Sequence, residues 1–194
     1  MLIKYEKQNK FKLVSEGFHQ AVCKGIYDLG LQENNYKDNK KTEHKVIIAW
    51  ELDERVTDEG EHKGKRYVLT REYTVSLYEK ANLRRDLSSW RGRDFTEQEL
   101  QGFDLKSIIG ANCWLEVVHN GEYANIKSVK IFKPLMQGQE LPQKMVVEDI
   151  SGNIPKWIQA KIDKQIPKQD EIVNAAMDTF SGSVESVDDI PFGA

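Results

Sequence analysis

Basic and aromatic side chains alternate through the middle of the chain. Binding a single nucleic-acid strand without sequence preference needs cations along the phosphate track and flat rings on which bases stack. Both residue types occur here within one stretch, so the pattern predicts a surface that binds single-stranded DNA. The predicted DNA-binding residues are Lys65, Arg66, Tyr67, Arg71, Tyr73, Tyr78, Lys80, Arg84, Arg91 and Arg93.

Three of these residues share one face of a predicted strand. Tyr67, Arg71 and Tyr73 follow the two-residue period of a strand, so their side chains point to the same side. An arginine is seldom buried without a partner, which favours an exposed, DNA-contacting face. The two tyrosines are equally compatible with packing, and this alternative stays open.

Other residues of the same kinds have competing structural interpretations. Arg84 also fits a solvated helix face, where it would pair with neighbouring acids such as Glu79 and Asp86. Buried indoles are common in protein cores. We therefore expect packing rather than base stacking from Trp50, Trp90 and Trp114.

Catalysis is a weaker hypothesis. A Mg²⁺-dependent nuclease would need converging carboxylates, and the candidates fill a turn-rich loop in which charged residues are usually solvated. No enzyme activity is therefore expected. A further alternative is an interaction adaptor whose barrel binds no nucleic acid. The candidate nuclease carboxylates are Asp53, Glu54, Asp58, Glu59 and Glu61.

Cysteine and histidine spacing predicts neither a disulfide framework nor a metal centre. Cys23 and Cys113 lie far apart in apolar runs, without a Cys-x-x-Cys pair, and are expected in the core. The histidines are scattered along the chain. No metal and no cofactor is expected.

Charge is distributed unevenly along the chain. The net charge is −3. Residues 134–194 carry five lysines against ten acids, or −5, which leaves +2 for residues 1–133. A mildly basic body joined to an acidic tail suits nucleic-acid binding in which the tail competes for the same cations.

The last residues, 181–194, combine a small-residue spacer, carboxylates and an apolar wedge. Such a segment cannot bury enough apolar surface to fold alone. An exposed phenylalanine beside a proline, flanked by acids, suits a small pocket rimmed with cations on a partner protein. The predicted partner-binding residues are Asp188, Asp189, Ile190, Pro191 and Phe192.

Hydrophobic periodicity predicts five strands and a few helices. The segment between the first two strands, residues 30–44, is predicted as a turn-rich, charged connection. Asn120-Gly121 predicts a tight hairpin, and Thr96 with Glu99 predicts a capping box. Strands are expected over residues 17–29, 45–52, 65–75, 112–119 and 123–132, and helices over residues 79–90, 97–101, 155–166 and, weakly, 170–180.

Three strands, a helix and two further strands follow the element order of the OB fold. The predicted class is mainly β: a five-stranded OB-fold-like barrel with a helix between strands three and four, short C-terminal helices and a disordered acidic tail. Residues 1–133 form the predicted DNA-binding domain, residues 134–168 a linker and short helix that packs on it, and residues 169–194 the flexible tail.

Residues 73–93, continued by 94–100 and 102–105, resemble the signature of single-strand-binding proteins encoded by temperate phages and prophages. Residues 17–22, 45–52 and 123–126 continue the resemblance. It implies an OB-like domain and single-stranded DNA binding in phage replication or recombination. The tail tip is similar to that of bacterial single-stranded DNA-binding proteins, which implies recruitment of replication and recombination proteins. Those tips end on phenylalanine, whereas Gly193 and Ala194 follow it here.

The first residues do not form a secretory signal, and no apolar run reaches membrane length. We therefore expect a soluble, cytoplasmic protein, located in the host cytoplasm if it is phage-encoded. The sequence leaves the oligomeric state open, with a homodimer as one option.

Overall fold

The computed structural model describes residues 12–36 and 39–167. The predicted helix over residues 170–180 and the predicted partner-binding residues lie outside this range. Within it, no helix is long and apolar enough to cross a membrane.

The strands form a single antiparallel sheet of five, in the order β3-β2-β1-β4-β5. β1 is central and pairs with β2 on one side and β4 on the other. β3 and β5 are the edge strands that a closed OB barrel would join, and this order confirms the predicted mainly β, OB-like class. The strands are β1 Gly17–Tyr36, β2 Asn39–Arg55, β3 Arg66–Thr74, β4 Asn112–Asn120 and β5 Tyr123–Ile131.

Helices fill the connection between β3 and β4, as hydrophobic periodicity predicts. In the first of them, the apolar stripe Leu83, Leu87 and Trp90 is buried. The second has the predicted capping box between Thr96 and Glu99. The helices are α1 Asn82–Arg91, α2 Glu97–Gln101, a 3₁₀ helix Leu105–Ile108 and, near the end, α3 Lys156–Ile162.

The main core lies between the inner face of the sheet and α1. Trp50 of β2 packs against Trp90 of α1, with ring centroids 5.9 Å apart. Trp114 is also buried, so the expectation that these three indoles are packing residues is confirmed. Cys23 and Cys113 are free and buried, as predicted. Burial raises the pKa of the Cys23 thiol to about 12.

The prediction of a turn-rich connection over residues 30–44 is wrong. β1 and β2 stay paired along a hairpin arm, defined as residues 30–36 and 39–45, from Gly30 opposite Lys45 to Tyr36 opposite Asn39. Apart from Leu31 and Tyr36 its residues are polar or glycine, so neither face shows an apolar alternation. Since strand prediction relies on alternating apolar residues, the sequence of such an arm does not indicate a strand.

The outer face of the sheet is also covered. Residues 143–149, here called the strap, run across it without helix or strand structure and contact all four of the strands β1 to β4. The carboxylate of Glu51 on β2 is buried there and accepts the backbone N–H groups of Glu148 at 2.8 Å and Asp149 at 3.1 Å. Beyond the strap, α3 places Ile158 against Leu29 and Ile47. β2 is therefore buried on both faces.

Candidate nucleic-acid interface

The face of β3 that carries Tyr67, Arg71 and Tyr73 is the inner face. Tyr73 is only 3% exposed, and its hydroxyl donates to Asp86 Oδ2 at 3.0 Å. Burial holds the pKa of Tyr73 well above its usual range. The three side chains share a face as predicted, but Tyr73 belongs to the core and its ring is not accessible to a base.

Arg71 bridges the two edges of the sheet. Its guanidinium lies 3.0 Å from Asp86 on α1 and donates to the carbonyl of Ile126 on β5 at 3.3 Å. It also lies over the ring of Tyr73, 5.4 Å from the centroid. The buried partner explains how an arginine can occupy the inner face, and it makes Arg71 a link between β3, β5 and α1.

Tyr67 is partly buried at the other end of this face. Its hydroxyl donates to the carbonyl of Lys12 at 2.7 Å, and burial raises the pKa of the phenol. The residue therefore anchors the segment before β1, with only part of its ring accessible to solvent.

The arginines of α1 and of the turn after it are engaged by carboxylates. Arg84 binds Asp94 through Nε at 3.2 Å and Nη2 at 3.0 Å. This is a different acid from the neighbours expected by sequence. The Arg84 guanidinium holds the pKa of the Asp94 carboxyl well below its usual range. These contacts fasten the turn after α1 to the helix.

Glu99 joins two further arginines. Arg93 donates to it at 2.7 Å, and Arg91 also pairs with it while lying over the ring of Phe95, 4.6 Å from the centroid. The Arg93 guanidinium holds the pKa of Glu99 well below its usual range. Arg91 and Arg93 therefore tie α2 to the end of α1.

Arg66 holds the strap. Its guanidinium lies 3.1 Å from Glu148 and donates to the carbonyl of Val146 at 2.8 Å. It is also 3.6 Å from the buried Glu51. The side chain is largely enclosed by these groups.

The remaining predicted DNA-binding residues are accessible. Tyr78 is 67% exposed, and Lys65 and Lys80 are exposed without an ion pair inside the described ranges. Lys65 precedes β3, whereas Tyr78 and Lys80 follow it, and a nine-residue strand is about 30 Å long. The structure therefore divides the predicted set into two exposed ends and a paired middle.

Sequence reasoning missed the exposed basic surface of the hairpin arm and α3. Lys40 and Lys41 are exposed on the arm, in solvent-screened ion pairs with Glu33 at 3.9 Å and Glu43 at 2.9 Å. On α3, Trp157 is 49% exposed and Lys161 Nζ lies 5.9 Å from its ring centroid. The available signal was the spacing of Trp157 and Lys161 at i and i+4, which puts both on one helix stripe, while Lys164 lies in the turn after α3.

The candidate nuclease carboxylates bind different partners. Asp53 faces His19, Glu54 accepts from Ser15, and Asp58 accepts the backbone N–H of Lys12. Glu59 pairs with Lys63 instead. Inside residues 12–36 and 39–167, no three His, Cys, Asp or Glu side chains are grouped as metal ligands.

Ser15, His19 and Asp53 have the residue types of a catalytic triad, in which a serine nucleophile, a histidine base and an orienting acid are hydrogen-bonded in turn. Their hydrogen bonds do not form that arrangement. His19 Nε2 is 2.9 Å from the carbonyl of Ser15, which can only accept, so this nitrogen carries a proton. The Ser15 hydroxyl donates to Glu54 Oε2 at 2.5 Å and lies 3.5 Å from His19 Nε2, which is protonated and cannot act as its base. The hydrogen bond to Asp53 raises the pKa of His19 despite burial. These groups form a latch that holds Ser15 against β1 and β2.

No protein-family model and no curated protein matches this chain. The resemblance to phage single-strand-binding proteins therefore stays a prediction.

Proposed function

We propose that this protein binds single-stranded DNA through its OB-like barrel and coats exposed strands in phage or prophage replication and recombination. In this proposal the acidic tail recruits partner proteins through residues 188–192. The barrel acts by binding and needs no catalytic group.

The observation that carries the proposal is the combination of OB strand order with exposed cations and rings around β2 and β3. OB folds bind oligonucleotides on the face of strands two and three and with the loops that join strands one to two and four to five. In this chain the first of these loops is the hairpin arm, with exposed Lys40 and Lys41. Tyr78 and Lys80 lie at the end of β3 and add a ring and a cation.

The overall charge of −3 means that binding must depend on local cations. Each phosphate neutralised on a single strand contributes about −0.7 to the slope of log affinity against log salt. Stacking on exposed rings adds sequence-tolerant affinity that salt affects little. A single strand should therefore bind in preference to a duplex, whose bases are already stacked.

Fluorescence anisotropy of labelled oligo-dT, titrated with the full chain at several salt concentrations, tests the proposal. We expect affinity to rise with oligomer length up to the site size, to fall with salt, and to exceed the affinity for a duplex of equal length. A flat salt response or equal duplex affinity would contradict the proposal. Incubating the labelled strand with Mg²⁺ tests the nuclease alternative, because cleavage would show as shorter products.

A further inference from the structure

Trp157 differs from the other described tryptophans. Trp50, Trp90 and Trp114 are at most 7% exposed, whereas Trp157 is 49% exposed. Its neighbour Ile158 is completely buried. α3 therefore exposes its largest apolar side chain, the indole of Trp157, and buries the smaller side chain of Ile158 against the sheet.

The helix that carries Trp157 lies on the face where OB barrels bind oligonucleotides. Ile158 packs on Leu29 and Ile47, which places α3 over the outer side of β1 and β2. The side chain of Lys161 reaches Glu72 on β3 at 2.5 Å, so the helix is linked to the outer side of that strand as well. α3 therefore covers part of the strand surface that an oligonucleotide would use, on β1 and β2, and adds its own side chains beside the exposed outer face of β3.

The charge of α3 suits a polyanion. Lys156 and Lys164 are exposed and form no ion pair inside the described ranges. Lys161 Nζ lies over one face of the indole, 5.9 Å from the ring centroid, so the opposite face is the one a base would use. A ring flanked by lysines meets both requirements of a single-strand site, a stacking platform and cations beside it.

We propose that Trp157 is a base-stacking platform of the single-stranded DNA site and that Lys156 and Lys164 bind the adjoining phosphates. This inference rests on the proposed function. It deepens that function by assigning the contact to α3 rather than to the arginines of α1. Ile150 and Ile154, exposed on the approach to the helix, would also fit an apolar protein partner, but the lysines favour the nucleic acid.

The test compares full-length Trp157→Leu and Trp157→Phe with wild type in the oligo-dT anisotropy assay. Trp157→Leu keeps apolar volume but removes the flat ring, so affinity should fall roughly 5- to 150-fold, the range expected for one lost base stack. Trp157→Phe keeps a ring and should stay within a few-fold of wild type. The salt slope should be unchanged in both, because no charge is lost.

Phe18→Leu is the matched control. Phe18 is 44% exposed on β1, and roughly 35 Å of strand separates it from Leu29 beneath α3. Its replacement removes a ring of similar exposure and should leave DNA affinity unchanged. Lys156→Gln and Lys164→Gln should each make the salt slope shallower by about 0.7, because each removes one phosphate contact.

Intrinsic fluorescence supplies an independent measurement. Oligo-dT should quench wild-type emission and leave the emission of Trp157→Phe nearly unchanged, because the other three indoles are buried. If wild type binds and Trp157→Leu binds equally well with the same quenching, the inference is overturned and the exposed indole serves another contact, such as a protein partner. If wild type does not bind oligo-dT, the proposed function itself fails. The two failures are therefore distinguishable.

Discussion

The arginines around α1 and the lysines that flank α3, Lys156 at its start and Lys164 just after its end, contribute the same charge to the sequence but have opposite surroundings. Lys161, inside α3, pairs with Glu72. Arg84, Arg91 and Arg93 each bind a carboxylate. Lys156 and Lys164 form no ion pair inside the described ranges. A guanidinium offers several donors in a fixed plane and suits a permanent ion pair, whereas an ammonium on a flexible stem stays hydrated and mobile.

This difference shows that the number of basic residues in a segment does not give the number of cations that are free to bind a ligand. Arginines that are interleaved with acids form ion pairs within the fold, as Arg84 does with Asp94 and Arg93 with Glu99. Lysines without acidic neighbours in space can remain available even in an acidic part of the chain. The α1 arginines are therefore expected to act on stability, and the α3 surface on binding.

Removing Asp86 should cause the largest loss of stability among the variants of the ion pairs around α1. Asp86 is buried and joins Arg71, Arg85 and the hydroxyl of Tyr73. Asp86→Ala leaves Arg71 without its partner, so the free energy of unfolding should fall by about 3 kcal/mol, measured by urea denaturation. The folded protein should bind oligo-dT with unchanged affinity.

Tyr73→Phe is the control for the Asp86 variant. It removes one hydrogen bond and keeps the ring, so it should cost about 1 kcal/mol. If Asp86→Ala instead kept its stability and lost DNA binding, the inner face of β3 would be the DNA site that the sequence predicted.

Gly92→Ala tests the same region through the backbone. Gly92 ends α1 between two of the paired arginines, with φ of +71°, and a Cβ there would approach Ile131 Cδ1 to 2.5 Å. Strain in the left-handed conformation and this overlap should together lower the free energy of unfolding by about 2 kcal/mol. Thermal and urea denaturation would measure the loss, and DNA affinity should not change.

Gly121→Ala provides the comparison for Gly92→Ala. Gly121 has φ of +64° in the β4–β5 hairpin, and a Cβ there would meet no atom within 4 Å. This variant should lose only the conformational part, about 1 kcal/mol. Equal losses at the two positions would mean that Ile131 moves aside and that packing beneath the arginine pairs is loose.

Much of the fold could be predicted from local patterns because each depends on neighbours close in sequence. The alternation of Val46, Ile48 and Trp50 located the core face of β2. The capping box at Thr96 located the start of α2. Burial of Ile47 and Glu51 could not be predicted, because the strap and α3, which cover them, come about a hundred residues later.

The site was harder to predict than the fold for the same reason. Residue type and spacing placed Arg84 and Trp157 correctly on helices. They could not show that Asp94 binds the arginine or that the indole faces solvent. Availability depends on which groups meet in three dimensions, and periodicity along one element does not contain that information.

The smallest expected effect concerns a paired cation whose charge can be removed without a mutation. His19 is buried, donates to the carbonyl of Ser15, and lies 3.3 Å from Asp53 and 3.8 Å from Glu54. The hydrogen bond to Asp53 raises the pKa of the imidazole above its unfolded value near 6.5. The charged latch therefore stabilises the folded state fully below pH 6.5, and this contribution is lost as pH rises through the folded pKa.

Urea denaturation at a series of pH values from 6 to 9 should show this loss. It should amount to less than about 1 kcal/mol, because Asp53 is half exposed and solvent screens the pair. His19→Gln should remove this part of the pH dependence, and Asp53→Asn should reduce it, because either change removes the stabilised charge or its partner. Parallel profiles for wild type and His19→Gln would show that the latch does not titrate with folding.

DNA affinity should not change with protonation of the latch, because His19 lies near the start of β1, whereas α3 packs on Leu29. A change in affinity over the same pH interval would extend the DNA site to the end of the sheet that carries the latch, and would weaken the contrast between the paired arginines and the unpaired lysines.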